Sequence, residues 1–173
     1  MDIFVEEIVK KKKTPRDFVL ILATLLAGVA LLFILVTIVL PILWNLMPIV
    51  LLLIAGVCYG IYYILGGFNI EYEYSLVNAE IDIDKIVNRR SRKREVTVYL
   101  RELEDFGTIR NPMFNSYKES PEFKKVYVCS AENADNAFFV VYTCAGQRLM
   151  VIFNPNERIV SEIKRHNPQK ELI

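Results

Sequence analysis

The chain has 173 residues, with 21 basic and 20 acidic side chains and a formal net charge of +1. Near-neutrality argues against a dedicated nucleic-acid binder and supplies no whole-molecule steering field. The charges are unevenly placed. Residues 18–70 are 53 consecutive positions without Asp, Glu, Lys, Arg or His, so all 41 Asp, Glu, Lys and Arg side chains fall in the other 120. One ordinary soluble globule is excluded by that gap.

Residues 1–17 form a head before the gap. Ile3, Phe4, Val5, Ile8 and Val9 stand among acids and ahead of Lys10, Lys11, Lys12 and Lys13. The pattern predicts a short amphipathic helix at the inner membrane surface, or else a solvated tail. Thr14-Pro15 then reads as a break and a new helix start.

The uncharged stretch is about right for two spans, because about 20 helical residues cross a hydrocarbon core of about 30 Å. They are expected at 18–40 and 47–65, within a transmembrane hairpin covering 18–66. Between them lies Pro41-Ile-Leu-Trp-Asn-Leu-Met-Pro48, with two prolines, a polar Asn45 and an interfacial Trp44. Lys10 to Lys13 and Arg16 precede the first span, and Arg89, Arg90, Arg92, Lys93 and Arg94 follow the second, while the hairpin turn has no base. The positive-inside rule therefore predicts a multi-pass protein of the plasma membrane with both termini cytoplasmic. Gly28-Val29-Ala30 is a conceivable signal-peptide cleavage site, but the apolar run continues through it to Leu40 and a second span follows. Gly56 and Gly60 form a small-xxx-small pair, with Ala23/Ala27 and Thr24/Gly28 as others. Such faces serve either packing of the two spans on each other or a homo-oligomer seam. Neither span contains an ionisable Asp, Glu, Lys, Arg or His, which argues against a pump or transporter.

Beyond Gly66-Gly67-Phe68-Asn69 the period becomes that of strands. Tyr72, Tyr74 and Leu76 alternate with Glu71, Glu73 and Ser75; Asn78-Ala79 is a turn; Ile81 and Ile83 alternate with Asp82 and Asp84 on a solvent face. The parity slips at Ile86-Val87, which suggests a bulge. A polar turn is expected over 88–93, then a strand carrying Val96, Val98 and Leu100. Residues 106–109 read as a short strand and 111–121 as a loop. Strands are expected over 125–129, 137–144 and 148–153, with turns at 131–136 and Ala145-Gly146. Asn154 as N-cap, Pro155 and Glu157 open a terminal helix with Ile159, Val160 and Ile163 as its stripe, ended by Asn167-Pro168. Residues 168–173 remain as a tail. The fold class is α+β: a helical hairpin, then an antiparallel barrel or curled sheet capped by the C-terminal helix. No long crossover helix occurs, which excludes a parallel α/β sheet.

This order resembles a bacterial pleckstrin-homology-like (PH-like) domain attached to membrane spans, and small bacterial membrane proteins of the same layout. The resemblance covers roughly residues 70–167. It rests on the Tyr72-Glu-Tyr-Ser-Leu76 strand, the strand over 80–87, the basic turn, the strand over 96–100 and the Phe153-Asn-Pro-Asn-Glu157 segment. Asn88 stands where such domains often have Gly, and Tyr99 where Pro is common. The resemblance implies a binding or scaffolding module and no chemistry.

The residues themselves offer little for catalysis. His166 is the only histidine, in a helix's last turn; Cys58, Cys129 and Cys144 have no metal-site spacing. No phosphate loop or nucleophile motif is present. No catalytic residue, cofactor site or metal site is assigned. The concentration left to weigh is Arg89-Arg90-Ser91-Arg92-Lys93-Arg94, either a solvated hairpin tip or a contact for anionic lipid headgroups or an acidic partner. The reading is a membrane-anchored, non-enzymatic module whose cytoplasmic domain binds a protein or anionic lipid, with an unidentified protein or a second copy as partner and no nucleic acid. The alternative is a small integral subunit whose hairpin packs into a larger membrane complex.

Overall fold

The computed structural model describes residues 4–131, 134, 136–170 and the backbone of 171–172. Ile3 of the expected head, Glu132, Asn133 and Asp135 of the expected turn, and Ile173 of the tail lie outside the described residues. The chain divides into two compact units: residues 13–69, and a second unit made of residues 1–12 together with 70–173.

The first unit is an apolar helical hairpin. Helix α1 (Pro15–Ile34) starts as expected: Thr14 accepts from Asp17 N at 3.3 Å, Asp17 Oδ2 accepts from Thr14 N at 2.7 Å, and Pro15 fills the first turn. The helix continues through a π turn (Leu35–Val39) into α2 (Leu40–Ile42), where Pro41 has no N–H to give. A 3-10 turn (Trp44–Leu46) leads to α3 (Met47–Gly66). The two rods, Pro15–Ile42 and Trp44–Gly66, have 28 and 23 residues, and both are long and apolar enough to cross a membrane. They meet at Gly28, where an added Cβ would lie 2.4 Å from Ile61 Cδ1.

The second unit opens with a correction. Residues Phe4–Lys10 form strand β1, where an amphipathic helix or tail was expected. β1 pairs antiparallel with β2 (Ile70–Val77) from Phe4↔Val77 to Lys10↔Glu71, so the domain's first strand lies on the far side of the helical hairpin in sequence. Its alternation places Val5 and Val9 over the core, and β-branched residues suit that half-buried pleat. β3 (Glu80–Val87) and β4 (Ser91–Tyr99) complete a four-stranded antiparallel meander, β1-β2-β3-β4. The Asn78-Ala79 turn is present, both residues left-handed at φ 51° and 86°. The turn expected over 88–93 is shorter, because Ser91, Arg92 and Lys93 already belong to β4. The bulge is not at Ile86-Val87. The register shifts between Ile83↔Val96 and Asp84↔Arg94, leaving Glu95 of β4 as the extra residue.

The second sheet contains β5 (Leu103–Thr108), β6 (Phe123–Val128), β7 (Phe138–Cys144), β8 (Gln147–Phe153) and β9 (Glu171–Leu172), in the order β6-β8-β7-β5-β9. It is mixed rather than wholly antiparallel, because β6/β8 and β5/β9 run parallel. The β6/β8 pair needs no crossover helix, since β7 lies between its members in sequence. Among the described residues the strands form two separate ladders, and one closed barrel is not seen. Residues 111–121, expected as a loop, hold helix α4 (Pro112–Glu119): Asn111 Oδ1 accepts from Met113 N at 2.8 Å and Pro112 takes the first position. Helix α5 (Glu157–His166) is capped by Asn156, not Asn154. Asn154 instead accepts from Ser130 N at 2.7 Å and donates to Asn136 Oδ1 at 2.9 Å.

The main core joins Tyr72, Tyr74, Ile81, Ile83 and Val98 to Phe106, Val140, Tyr142 and Phe153, with Ile159 and Ile163 of α5 among them. On the other face of the second sheet, Phe139, Val141, Met150 and Ile152 pack with Phe114 of α4 and Phe123. β7 and β8 are thus covered on both faces, which is why Phe-Phe-Val-Val-Tyr and Leu-Met-Val-Ile-Phe read as continuous apolar runs. Two buried tyrosines tie the sheets together. Tyr74 Oη donates to Val128 O at 2.5 Å and accepts from Asn154 N at 3.3 Å, while Tyr142 Oη donates to Thr97 O at 2.9 Å. Tyr74→Phe strands a carbonyl and an N–H, and Tyr142→Phe only a carbonyl. The expected losses are about 2 and about 1 kcal/mol of unfolding free energy, ordered in that sense by denaturant midpoints of the full chain.

Candidate functional site

The charged residues gather on the outer face of the four-stranded sheet, opposite the core. The pairing β1 to β2 to β3 puts Glu6, Ile8 and Lys10 on the same face as Ser75, Glu73 and Glu71, and these beside Asp82, Asp84 and Ile86. In an unbroken β4, Arg92 and Arg94 would share parity with Val96 and Val98 and point to the core. The extra residue Glu95 reverses the pleat, so Arg92 falls opposite Ile86, Arg94 opposite Asp84 and Thr97 opposite Asp82, all on the outer face.

The resulting network is continuous. Arg92 Nε donates to Asp84 Oδ2 at 2.7 Å, and its Nη2 pairs with Glu73. Arg94 Nε donates to Asp84 Oδ1 at 2.5 Å, and its Nη1 lies 2.7 Å from Asp82 Oδ1, which also accepts from Thr97 Oγ1 at 2.7 Å. Lys10 Nζ and Arg89 Nε approach Glu71 Oε1 at 3.9 and 3.8 Å. Glu71, Glu73 and Asp84 are only 5, 5 and 6% exposed. The Asp82/Asp84 face was expected to be solvated. The arginine side chains close over it.

The expected basic cluster is therefore divided. Arg92 and Arg94 belong to the ion-pair network; Arg89 sits over Glu71; exposed Arg90 is at the turn, its N–H on Val87 O at 3.0 Å; Lys93 lies opposite Lys85 on the other face. Arg89, with Lys10, Glu71, Ile8 and Ile86, lines a shallow hollow of about 470 Å³. Glu6, Lys10, Glu71 and Glu73 are members that sequence reasoning left out. The alternation of Phe4, Glu6 and Ile8 with Val5, Glu7 and Val9 was the available signal for the first two.

The remaining candidates lie apart. A Cβ at Gly56 or Gly60 would meet nothing within 4 Å, so neither glycine is the point where the two helices approach. His166 Nδ1 is 2.9 Å from Glu162 O in the last turn of α5. Cys58 is exposed on α3, Cys129 buried and Cys144 half-buried, and among the described residues none is in a disulfide. Among the described residues no three His, Cys, Asp or Glu side chains cluster as a metal site.

Two carboxyls of the network are displaced in opposite directions. Burial alone would raise Asp84, but hydrogen bonds from Arg94 and Arg92 outweigh it and hold the group below the usual Asp range. Burial raises Glu73, the neighbouring Glu6 carboxyl raises it further, and Arg92 opposes both. The ionised Asp84 therefore stabilises the fold above the ordinary Asp value, and this contribution is lost as pH falls through the lowered folded value, below about pH 4. Glu73 has the reverse sign: its contribution is complete below the ordinary Glu value and is lost as pH rises through the raised folded value. In denaturant midpoints across a pH series, Asp84→Asn is expected to remove part of the acid-side loss and Glu73→Gln to remove the decline above the Glu range.

The arrangement is a network of carboxylates paired with guanidinium groups on one sheet face. No curated protein and no solved structure matches the chain. A family model described as Bacterial PH-like domain matches residues 1–172, which includes β1 and the helical hairpin as well as both sheets. The chain belongs to that family, Bacterial PH-like domain (DUF6106).

Proposed function

We propose that the protein is a membrane-anchored, non-enzymatic module of the plasma membrane, whose cytoplasmic PH-like domain binds a protein partner or anionic lipid headgroups at the inner surface. The observation that carries this reading is the β1–β2 ladder. A strand before the apolar hairpin pairs with the strand directly after it, Lys10 opposite Glu71, so both ends of the hairpin belong to one domain on one side. Lys10, Lys11, Lys12, Lys13 and Arg16 make that side the cytoplasmic one by the positive-inside rule. Register supports the lipid contact: Ile70↔Val87 puts the Asn88-Arg89-Arg90 turn at the same end of the sheet from which the chain departs after Lys12 and returns at Ile70. Each base near an anionic leaflet contributes about 1 kcal/mol, fading over about a Debye length. The bases proposed for the contact are Arg89, Arg90 and Lys93, with Lys11, Lys12 and Lys13 just after β1.

The test uses the full chain, since a piece starting at residue 70 would lack β1. Place a spin label on Ser91→Cys in a Cys58→Ser/Cys144→Ser background, in nanodiscs of phosphatidylcholine with or without one third phosphatidylglycerol. Access to a headgroup-bound nickel chelate is expected to rise with phosphatidylglycerol. Arg89→Gln/Arg90→Gln/Lys93→Gln should abolish the rise; no rise in the parent would remove the lipid arm and leave a protein partner.

A second reading, a small subunit whose hairpin packs into a larger membrane complex, is favoured by Gly56 and Gly60. Their faces are open, while the contact between the two helices is made at Gly28. Gly56→Leu/Gly60→Leu is expected to release a hairpin-bound partner in a gentle-detergent pull-down and to leave a domain-bound one in place.

A further inference from the structure

We infer that the free edge of β1 is a pairing surface for a second copy of this chain, joined antiparallel about Ile8. β1 is an edge strand of its sheet. Lys11 N donates to Ile70 O at 3.0 Å, so the odd-numbered β1 residues turn their N–H and C=O groups towards β2. By the two-residue period, Phe4, Glu6, Ile8 and Lys10 direct theirs away from β2, and among the described residues no strand pairs with them there; the open row ends at Lys10, because Lys12 N donates to Ser130 O at 2.7 Å.

Edge strands are commonly guarded by charge of one sign, which repels a copy of itself. β1 carries both signs, and their spacing is self-complementary. Run antiparallel to a copy about Ile8, the strand places Glu6 opposite the copy's Lys10 twice, with the two Ile8 side chains stacked between. Glu6, Ile8 and Lys10 share the outer face with Phe4, and Phe4 and Ile8 are 65 and 55% exposed there. A register centred one residue earlier would set Glu7 against Glu7. A second observation points to the same cation: Glu6 lies beside Glu73, and Arg92 pairs with Glu73. A lysine arriving opposite Glu6 relieves that repulsion, and the strand's own Lys10 is the base that arrives there.

The experiment uses the full chain in non-ionic detergent, with its oligomeric state read by light scattering coupled to size exclusion. The parent is expected to be a dimer. Lys10→Glu should raise the dimer dissociation constant about tenfold or more, by placing two like-charge pairs opposite each other. Glu6→Lys/Lys10→Glu swaps the signs and should restore it. Ile8→Cys, in the Cys58→Ser/Cys144→Ser background, should cross-link copy to copy with a short bis-maleimide. A monomeric parent, a dimer indifferent to Lys10→Glu, or a loss that the double swap does not rescue would each overturn the inference. Indifference to Lys10→Glu combined with sensitivity to Gly56→Leu/Gly60→Leu would move the association to the helices.

Discussion

The β1–β2 ladder is the interaction on which the rest of the molecule depends. Its two strands are separated by residues 11–69, and closing a flexible loop of that length would cost about 3–4 kcal/mol in chain entropy. The intervening chain is not a flexible loop. It is a helical hairpin that turns back on itself, with Gly28 admitting Ile61 at the contact. The ends are therefore already brought round when β1 meets β2, and seven residue pairs form against a sheet that packs on Tyr72, Tyr74 and Leu76. In sequence the hairpin is an elaboration of the connection between the domain's first two strands, rather than an anchor that precedes the domain.

The same pairing organises the charges. Without β1, Glu73 would lack its Glu6 neighbour, Glu71 would lack Lys10, and Glu7 would not reach Asn156 N at 2.8 Å just ahead of α5. The bulge at Glu95 does the complementary work from the other edge by turning Arg92 and Arg94 onto the acids. Carboxylates as covered as Asp84 and Glu73 need such partners, because an unpaired buried charge costs far more than an exposed one. The outer face is thus a network of paired charges.

Much of this was legible in local pattern. The 53-residue charge gap marked two apolar rods, Thr14-Pro15 marked the start of the first, and alternation around Tyr72–Leu76 and Ile81–Ile83 marked strands. β1 was not legible as a strand. Val5/Val9 and Phe4/Ile8 are spaced four apart as well as alternating, so this short segment satisfies both periods and only the partner at 70–77 decides between them. Asn154 and Asn156 flank Pro155 and are equally good caps by residue type. Ser130 and Asn136 engage the first, which leaves the second for the helix. Around α4, Pro112 and Pro121 read as breakers, yet a proline in the first turn begins a helix, and Phe114 with Tyr117 supplies the face it buries.

The sequence by itself determined where the apolar helices lie, where chain direction reverses at Asn78-Ala79 and Ala145-Gly146, and which segments alternate. Those properties follow from side-chain type and spacing within a few residues. Only the tertiary structure decided that the N-terminal segment is a strand, that β4 gains a residue at Glu95, and that the five bases of 89–94 are divided between ion pairs, an exposed turn and the other face of β4. Each of these depends on a hydrogen-bonding or charge partner on another strand, and no local period records which strand that is.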